Sequence, residues 1–177
     1  MAKIIVVNQE RCLGCKSCVI ACAMAHTEAK TLAEAVHSAS PPKPRVHVEP
    51  LEEGAIPLQC RHCEDAPCIA ACPTEAIHRF SEDGPVVLDG DRCIGCRFCM
   101  IVCPFGVIGM SPDGKAMTKC DLCIERTEGG QEPACVAACP TRGLEFVEMD
   151  AWLRRRRREA ARRVAEGQAR AGKGAAP

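Results

Sequence analysis

Regularly spaced cysteines are the residues of this sequence whose type and pattern could do chemistry. The most compact group runs from Cys93 to Cys103 with the spacing C-x2-C-x2-C-x3-C and is followed by Pro104. Three thiolates in such a loop can bind three irons of one [4Fe–4S] cubane, while the fourth points toward a second cluster. Structural zinc sites instead pair two C-x2-C knuckles across a longer spacer. The run therefore indicates iron–sulfur ligation.

Three further groups vary this pattern. The group that starts at Cys12 lacks the proline, so its helix can continue, and the group that starts at Cys60 has two extra residues before its third cysteine. The group that starts at Cys120 has eleven residues at that place, a spacing that alone also fits zinc. Its phrase 138–141 (Ala-Cys-Pro-Thr) repeats 71–74, which indicates an internal repeat with four iron–sulfur groups. The candidate ligands are Cys12, Cys15, Cys18, Cys22, Cys60, Cys63, Cys68, Cys72, Cys93, Cys96, Cys99, Cys103, Cys120, Cys123, Cys135 and Cys139.

The composition supports metal ligation. The 177 residues include 16 cysteines but no tyrosine, one tryptophan and four phenylalanines, so metal–thiolate bonds must replace part of the hydrophobic core. A disulfide scaffold is disfavoured because the cysteines fall into compact groups of four. Residues 1–7 are too short an apolar run for a secretory signal, and no stretch approaches the roughly 20 apolar residues of a membrane helix. We expect a cytoplasmic protein. Export together with a partner that has its own signal is the alternative.

Charge is distributed unevenly along the sequence. Residues 1–150 have 14 basic and 21 acidic side chains, whereas residues 151–177 have 9 basic and 2 acidic ones. The zero net charge therefore combines an acidic body with a basic tail.

Short strands and helices must position the cysteine loops. The sequence predicts an α+β fold with strands over 3–8, 45–49 and 144–147, a helix over 18–26, an insertion over 27–44, and two β-hairpins. The hairpins join 76–80 to 85–89 and 107–110 to 115–119. Asp150 is a candidate N-cap for a final helix from Ala151 to about Glu166, ended by Gly167, and a disordered remainder is expected over 168–177.

The ligand groups resemble a known family. The phrases 12–18 (CLGCKSC), 60–63 (CRHC) and 119–123 (KCDLC) are similar to those of the four-cluster ferredoxin-type electron-transfer subunits of multisubunit oxidoreductases. Hosts of such subunits include molybdenum and tungsten oxidoreductases, formate dehydrogenases, hydrogenases and carbon monoxide dehydrogenases. The resemblance covers about residues 3–148 and does not include the basic tail.

The resemblance implies two bis-[4Fe–4S] ferredoxin-like units related by pseudo-symmetry, plus a C-terminal basic helix. One unit comprises residues 1–50 and 111–149, the other comprises residues 51–110, and the helix and tail take up 150–177. Each unit exchanges fourth ligands between its two clusters. The implied ligand sets are Cys12, Cys15, Cys18 and Cys139 (first set); Cys120, Cys123, Cys135 and Cys22 (second set); Cys60, Cys63, Cys68 and Cys103 (third set); and Cys93, Cys96, Cys99 and Cys72 (fourth set).

Single-electron transfer is the function that this pattern favours. The sequence has no phosphate loop, nucleophile–base pair, or flavin or nicotinamide fingerprint, so we expect a non-catalytic subunit. The resemblance implies a tungsten or molybdenum catalytic partner acting on aldehydes or formate, with the small iron–sulfur subunit of tungsten aldehyde oxidoreductases the most similar, and a flavin, NAD-type or other acceptor subunit. A carbon monoxide dehydrogenase or hydrogenase host and a free polyferredoxin are the alternatives.

Side chains outside the ligand set allow further interpretations. Lys16, Arg97 and Lys119 each adjoin a ligand and could raise cluster potentials, or could be ordinary surface charges. We expect His26 and His37 to be solvated rather than ligands. The basic helix could bind an acidic partner or the acidic body of a second copy, or it could simply be solvated. Nucleic-acid binding is disfavoured by the acidic body and the scarcity of stacking aromatics.

Overall fold

Four two-stranded antiparallel sheets, seven α-helices and one short 3₁₀-helix, Gln9–Arg11, make up the fold of the described part of the protein. The structure is a computed structural model that describes residues 3–173. Its helices and strands are β1 Lys3–Val7, α1 Ser17–Met24, α2 Leu32–His37, β2 Val46–Pro50, β3 Ala55–Gln59, α3 Pro67–Ala70, β4 Ile77–Arg79, β5 Val86–Leu88, α4 Phe98–Val102, β6 Gly109–Met110, β7 Met117–Thr118, α5 Ile124–Glu128, α6 Ala134–Ala137, β8 Leu144–Glu148 and α7 Met149–Lys173.

Antiparallel pairing joins the predicted strands. The two predicted hairpins form as β4–β5 and β6–β7, and the N-terminal strand β1 pairs with the closing strand β8, with Lys3 opposite Glu148. This last pair brings the first and fourth cysteine groups together, because the first group follows β1 and the fourth precedes β8.

The β2–β3 hairpin contains a strand that the sequence did not predict. Strand β2 matches the predicted strand over 45–49, and its partner β3 places Gln59 opposite Val46. Gln59 is buried and its Nε2 donates to the carbonyl of Ile5 at 3.4 Å, which attaches the hairpin to β1. The hairpin crosses residue 50, where the two predicted units meet, and β6–β7 likewise crosses residue 110. The division into units stays a prediction.

Two hydrophobic cores include the cysteines themselves, as expected for a protein poor in aromatics. The first core lies among β1, α1, β2, α6 and β8, and the second lies among α3, α4 and the hairpins β4–β5 and β6–β7. The buried members of the first core are Ile5, Cys18, Cys22, Val46, Cys120, Leu122, Cys135, Val136 and Leu144. Those of the second core are Cys68, Ile77, Val86, Cys99, Ile108 and Met117.

Helix α2 lies inside the segment 27–44, which was predicted to be an insertion. Thr31 caps it: Oγ1 accepts from the backbone N–H of Glu34 at 3.2 Å, while the Glu34 carboxylate accepts from the backbone N–H of Lys30 at 2.9 Å. Side chains thus satisfy two free backbone donors at the helix start in an arrangement close to a capping box.

Helix α7 is longer than predicted. It begins at Met149, directly after β8, so Asp150 lies within its first turn and is not its N-cap. The helix also continues past Gly167 and ends at Lys173. One glycine in a helix costs about 1 kcal/mol, and the high helix propensity of the surrounding alanines and arginines offsets this cost. The helix thus includes 168–173, for which disorder was expected; the disordered tail stays a prediction, and residues 174–177 lie outside the described residues. No helix between residues 3 and 173 is long and apolar enough to span a membrane.

Candidate metal centres

Each cysteine group folds into a loop with the same backbone turn. The residue before the second cysteine has a left-handed φ in all four groups: +66° at Gly14, +49° at His62, +68° at Gly95 and +60° at Leu122. This conformation favours glycine, yet two groups adopt it with other residues. The shared turn shows that the four groups are structural repeats and not only similar in sequence.

A second turn follows the fourth cysteine of three groups. The third residue after Cys72, Cys103 and Cys139 also has a left-handed φ, as Glu75, Gly106 and Arg142 do at +53°, +62° and +51°. In the first group, where no proline follows, Ala25 stays in the right-handed helical region with φ −71°. The prediction that this helix continues past Cys22 is confirmed, although α1 ends at Met24 and not at residue 26.

The first ligand set lines one cavity. Cys12, Cys15 and Cys18 meet Cys139, which is more than 120 residues away in sequence, together with Gly14 and the apolar side chains of Val48 and Leu144. Burial raises the pKa of Cys18, and the neighbouring thiols of Cys139 and Cys15 raise it further. The fold therefore brings the fourth cysteine of the last group to the first group.

The third ligand set lines a second cavity. Cys60, Cys63 and Cys68 meet Cys103, with Pro67 and Phe105 among the lining residues. Burial raises the pKa of Cys68, and Cys60 and Cys103 add to the rise. The meeting of one loop with the fourth cysteine of another group, seen around Cys139, thus recurs in the other half of the protein.

The second ligand set is the most deeply buried one. Cys22, Cys120, Cys123 and Cys135 are all buried. Burial raises the pKa of Cys22 to about 11, with Cys123 contributing, and raises that of Cys135 to about 12, with Cys22 and Cys123 contributing. Thiols held this close would not ionise readily alone, whereas bound metal deprotonates a coordinating thiol outright.

The fourth ligand set combines one loop with a more distant cysteine. Burial raises the pKa of Cys99 to about 11, and Cys68, Cys93 and Cys96 contribute. Cys72 and Cys93 each pack against the second core, in which helices α3 and α4 contact each other. The grouping of Cys72 with this loop stays a prediction, as do the other three sets.

Backbone N–H groups point at several of these sulfurs. Cys22 accepts from Arg45 N at 3.2 Å, Cys93 from Met117 N at 3.3 Å, and Cys139 from Gly143 N at 3.2 Å. Such bonds stabilise thiolates and set the potential of a bound cluster. The donors come from the residue before β2, from β7 and from the turn before β8, which explains why these elements adjoin the loops.

A polar cluster beside Cys123 was not predicted. His26 Nε2 lies 4.0 Å from Cys123 Sγ and 3.8 Å from an Asp121 oxygen, and Asp121 also pairs with Arg45. Burial opposes ionisation of Asp121, but Arg45 and His26 outweigh it and lower its pKa. His26 is thus partly buried and adjoins a predicted ligand, contrary to the expectation of a solvated histidine, whereas His37 is exposed. The feature of the sequence that could have indicated this polar cluster is the position of Asp121 between Cys120 and Cys123.

The three candidate tuning residues have different environments. Lys16 and Arg97 follow Cys15 and Cys96, take left-handed φ values of +60° and +67°, and are exposed. Lys119 precedes Cys120 and is only 2 % exposed. The interpretation as ordinary surface charge therefore remains open for the first two and is wrong for Lys119.

The donor chemistry fits [4Fe–4S] clusters. Thiols converge from separate segments, their loops repeat one backbone geometry, and backbone donors face the sulfurs. Together with the cysteine spacing, these features define an iron–sulfur protein of ferredoxin type.

Comparison with known proteins identifies the family. The protein belongs to the 4Fe–4S dicluster domain family, whose model matches residues 52–149, and a 4Fe–4S binding domain model matches residues 9–25. An iron–sulfur protein of Rhodospirillum rubrum is 40 % identical over 175 residues, covering 92 % of this chain and 91 % of that protein. The 4Fe–4S cofactor and the resemblance to iron–sulfur subunits are confirmed.

Two further relatives have functional names. The thiosulfate reductase electron transfer subunit PhsB of Salmonella typhi is 36 % identical, with 81 % of this chain and 74 % of PhsB covered. A component polypeptide of the anaerobic dimethyl sulfoxide reductase of Escherichia coli is 35 % identical, with 81 % of this chain and 72 % of that polypeptide covered. The relatives are thus named as parts of reductases.

Proposed function

We propose that the protein is a non-catalytic electron-transfer subunit that carries single electrons along four [4Fe–4S] clusters between a catalytic oxidoreductase subunit and an acceptor subunit. Bound clusters supply reversible one-electron chemistry. The observation that carries the proposal is the exposure of the thiols: of the sixteen cysteines only Cys15 and Cys96 are exposed.

The two exposed thiols belong to different ligand sets. Cys15 is in the first set and Cys96 is in the fourth, while the four cysteines of the second set are all buried. The second and third sets adjoin each other, because Lys119 beside Cys120 contacts Val86, which lines the same cavity as Cys68. This supports the order first, second, third, fourth, in two pseudo-symmetric units. Since tunnelling weakens steeply with distance, such a row with one accessible thiol at each end suits a conductor between two partners.

An apolar surface surrounds the end at Cys96. Ile94 and Phe98 lie within two residues of Cys96 and are 65 % and 53 % exposed, and Ile101, on the same helix as Phe98, is 79 % exposed. We call these three side chains the Cys96 surface. Exposed apolar patches of this kind typically mark protein contacts. Arg97 is exposed beside them, so a partner with an apolar, acidic face fits this end.

The metal bound by the catalytic partner would identify the class of that partner. We favour a tungsten or molybdenum enzyme, and the relatives named as parts of thiosulfate and dimethyl sulfoxide reductases extend the range of reductases to consider. A carbon monoxide dehydrogenase or hydrogenase host and a free polyferredoxin are the alternatives. Cytoplasmic location stays a prediction.

Helix α7 supplies a second contact surface. It packs on β8, with Arg155 paired to Glu145 at 3.1 Å, while Arg154, Arg157 and Arg158 are exposed and make no ion pair within the described residues. These arginines fit an acidic partner or the acidic body of a second copy, in which case copies would join end to end.

Metal analysis of the native complex, purified without oxygen through a tag on this chain, tests the proposal. Four clusters predict roughly 16 iron atoms per copy of the protein. Tungsten or molybdenum in addition would support the favoured host, and nickel would indicate carbon monoxide or hydrogen metabolism. Iron alone, with no companion protein, would overturn the subunit proposal in favour of a free carrier.

A further inference from the structure

Lys119 is the most deeply buried charged side chain among the described residues. It is 2 % exposed, and its Nζ donates hydrogen bonds to the carbonyl oxygens of Val86 and Cys120, the latter at 2.9 Å. The ammonium group is thus fixed in position by two backbone acceptors.

The two carbonyls belong to different halves of the protein. Cys120 is in the first core and Val86 is in the second. The backbone N–H of Val86 in turn donates to His62 Nδ1 at 3.1 Å, and His62 lies between Cys60 and Cys63. Lys119 therefore lies where the loop of the second ligand set meets the loop of the third.

No carboxylate among the described residues forms an ion pair with Lys119. The ion pairs found among the described residues involve other cations, namely His26, Arg45, Arg92, Arg155 and Arg156. A buried cation without a counter-charge costs several kcal/mol, so such groups are normally paired. An oxidised [4Fe–4S] core with four thiolates has a net negative charge and would supply the missing partner.

We propose that Lys119 is the shared counter-ion of the two central clusters and holds their reduction potentials above the values they would have without it. Reduction adds a negative charge, and a fixed positive charge in a poorly solvated site stabilises that charge strongly. Lys119 acts here as a positioning and tuning residue, and the inference rests on the proposed arrangement of four clusters.

Lys16 provides a matched comparison within the protein. It also adjoins a ligand, Cys15, but it is exposed, so water and salt screen its charge. If burial is what makes Lys119 effective, removing the Lys16 charge will change cluster potentials much less.

The test is a redox titration of the cluster-loaded full-length protein, followed by electron paramagnetic resonance. Lys119→Gln removes the charge but can still donate to the carbonyls, Lys119→Met removes both, Lys119→Arg keeps the charge, and Lys16→Gln is the control. In the neutral Lys119 variants we expect two of four clusters to become harder to reduce by at least about tenfold in the equilibrium constant, about 59 mV for one electron. Lys119→Arg and Lys16→Gln are expected to leave these potentials near the wild type.

Other outcomes separate this inference from the proposed function. Unchanged potentials, an equal shift of all four clusters, or an equal effect of Lys16→Gln would overturn the role of Lys119 while leaving the electron-transfer proposal intact. Loss of iron from both neutral variants would also overturn it, in favour of a purely structural tie. Fewer than four reducible clusters in the wild type would instead contradict the proposed function.

Discussion

Thr141 Oγ1 donates a 2.6 Å hydrogen bond to the carbonyl oxygen of Arg11, which attaches the turn after Cys139 to the residue before Cys12. The bond joins segments 130 residues apart. Thr74 occupies the same place after Cys72, and both hydroxyls lie 3.8 Å from the sulfur of their cysteine. Thr74 makes no second hydrogen bond through its hydroxyl within the described residues.

Replacing these threonines by valine isolates the long-range bond. We expect Thr141→Val to lower the free energy of unfolding by about 1 kcal/mol more than Thr74→Val, because only the first variant loses a hydrogen bond between distant segments. Anaerobic denaturant titration of the cluster-loaded protein measures the difference. Equal losses in the two variants would contradict this contribution of the Thr141–Arg11 bond.

Gly95 is required by contact as well as by conformation. Its φ is +68°, and a Cβ placed there would lie 2.9 Å from the carbonyl oxygen of Lys115, closer than real Cβ contacts allow. Gly106 has a similar φ of +62°, but a Cβ placed there would meet no neighbouring atom of the described residues within 4 Å. A side chain at position 95 would thus collide with the backbone of the turn before β7.

Alanine at the two glycines separates strain from collision. Gly106→Ala should cost about 1 kcal/mol for the left-handed conformation alone. Gly95→Ala should cost more and release iron faster, because the loop must move away from Lys115. Iron release to a chelator and denaturant titration measure both variants. A Gly95→Ala protein as stable as Gly106→Ala would show that the loop adapts without cost.

The cysteine spacing predicts the candidate ligands because ligand geometry is local. The hairpins β4–β5 and β6–β7 were predictable for the same reason, since each is closed by a turn within a few residues. The cap of α2 by Thr31 and Glu34 is also encoded locally, as a T-x-x-E phrase.

Features that depend on distant packing could not be predicted. Strand β3 contains Pro57, which argues against a strand unless its edge is open, as it is in the two-stranded β2–β3 sheet. In the sequence, nothing distinguishes Lys119 from the other basic residues. Its burial depends on the contact with Val86 of the hairpin β4–β5. The arrangement around Asp121 likewise requires His26 and Arg45 from other segments.

The exchange of fourth ligands predicts which cluster each cysteine supports. We expect Cys72→Ala to remove the same paramagnetic signal as Cys96→Ala, because both belong to the proposed fourth set. Cys103→Ala should instead match Cys63→Ala. The spectra of the four reduced variants decide the matter, and a match of Cys72→Ala with Cys63→Ala would mean that the groups do not exchange ligands.

The Cys96 surface predicts a local defect in partner binding. Ile101→Ser removes the most exposed side chain of the Cys96 surface. We expect the dissociation constant for the partner to rise about tenfold, because an apolar contact buried in the complex contributes about 1–2 kcal/mol. Val36→Ser on α2 is the control, because Val36 is also apolar and 62 % exposed but lies on the insertion. Co-purification and reduction by the partner measure the effect, with iron content expected to be unchanged. Equal effects of the two variants would exclude a docking role for this surface.

The exposed arginines of α7 predict association that depends on salt. Bringing α7 of one copy to the acidic body of another is favoured by opposite charge at low ionic strength and weakened as salt screens it. Arg154→Glu/Arg157→Glu/Arg158→Glu should therefore reduce a large species at low salt to the monomer. Lys30→Glu/Lys43→Glu/Lys115→Glu is the control, because it changes the net charge equally at exposed sites outside the helix. Sedimentation velocity at two salt concentrations distinguishes the cases: a wild-type monomer at low salt, or equal loss of association in both variants, would leave α7 as a solvated helix without a self-association role.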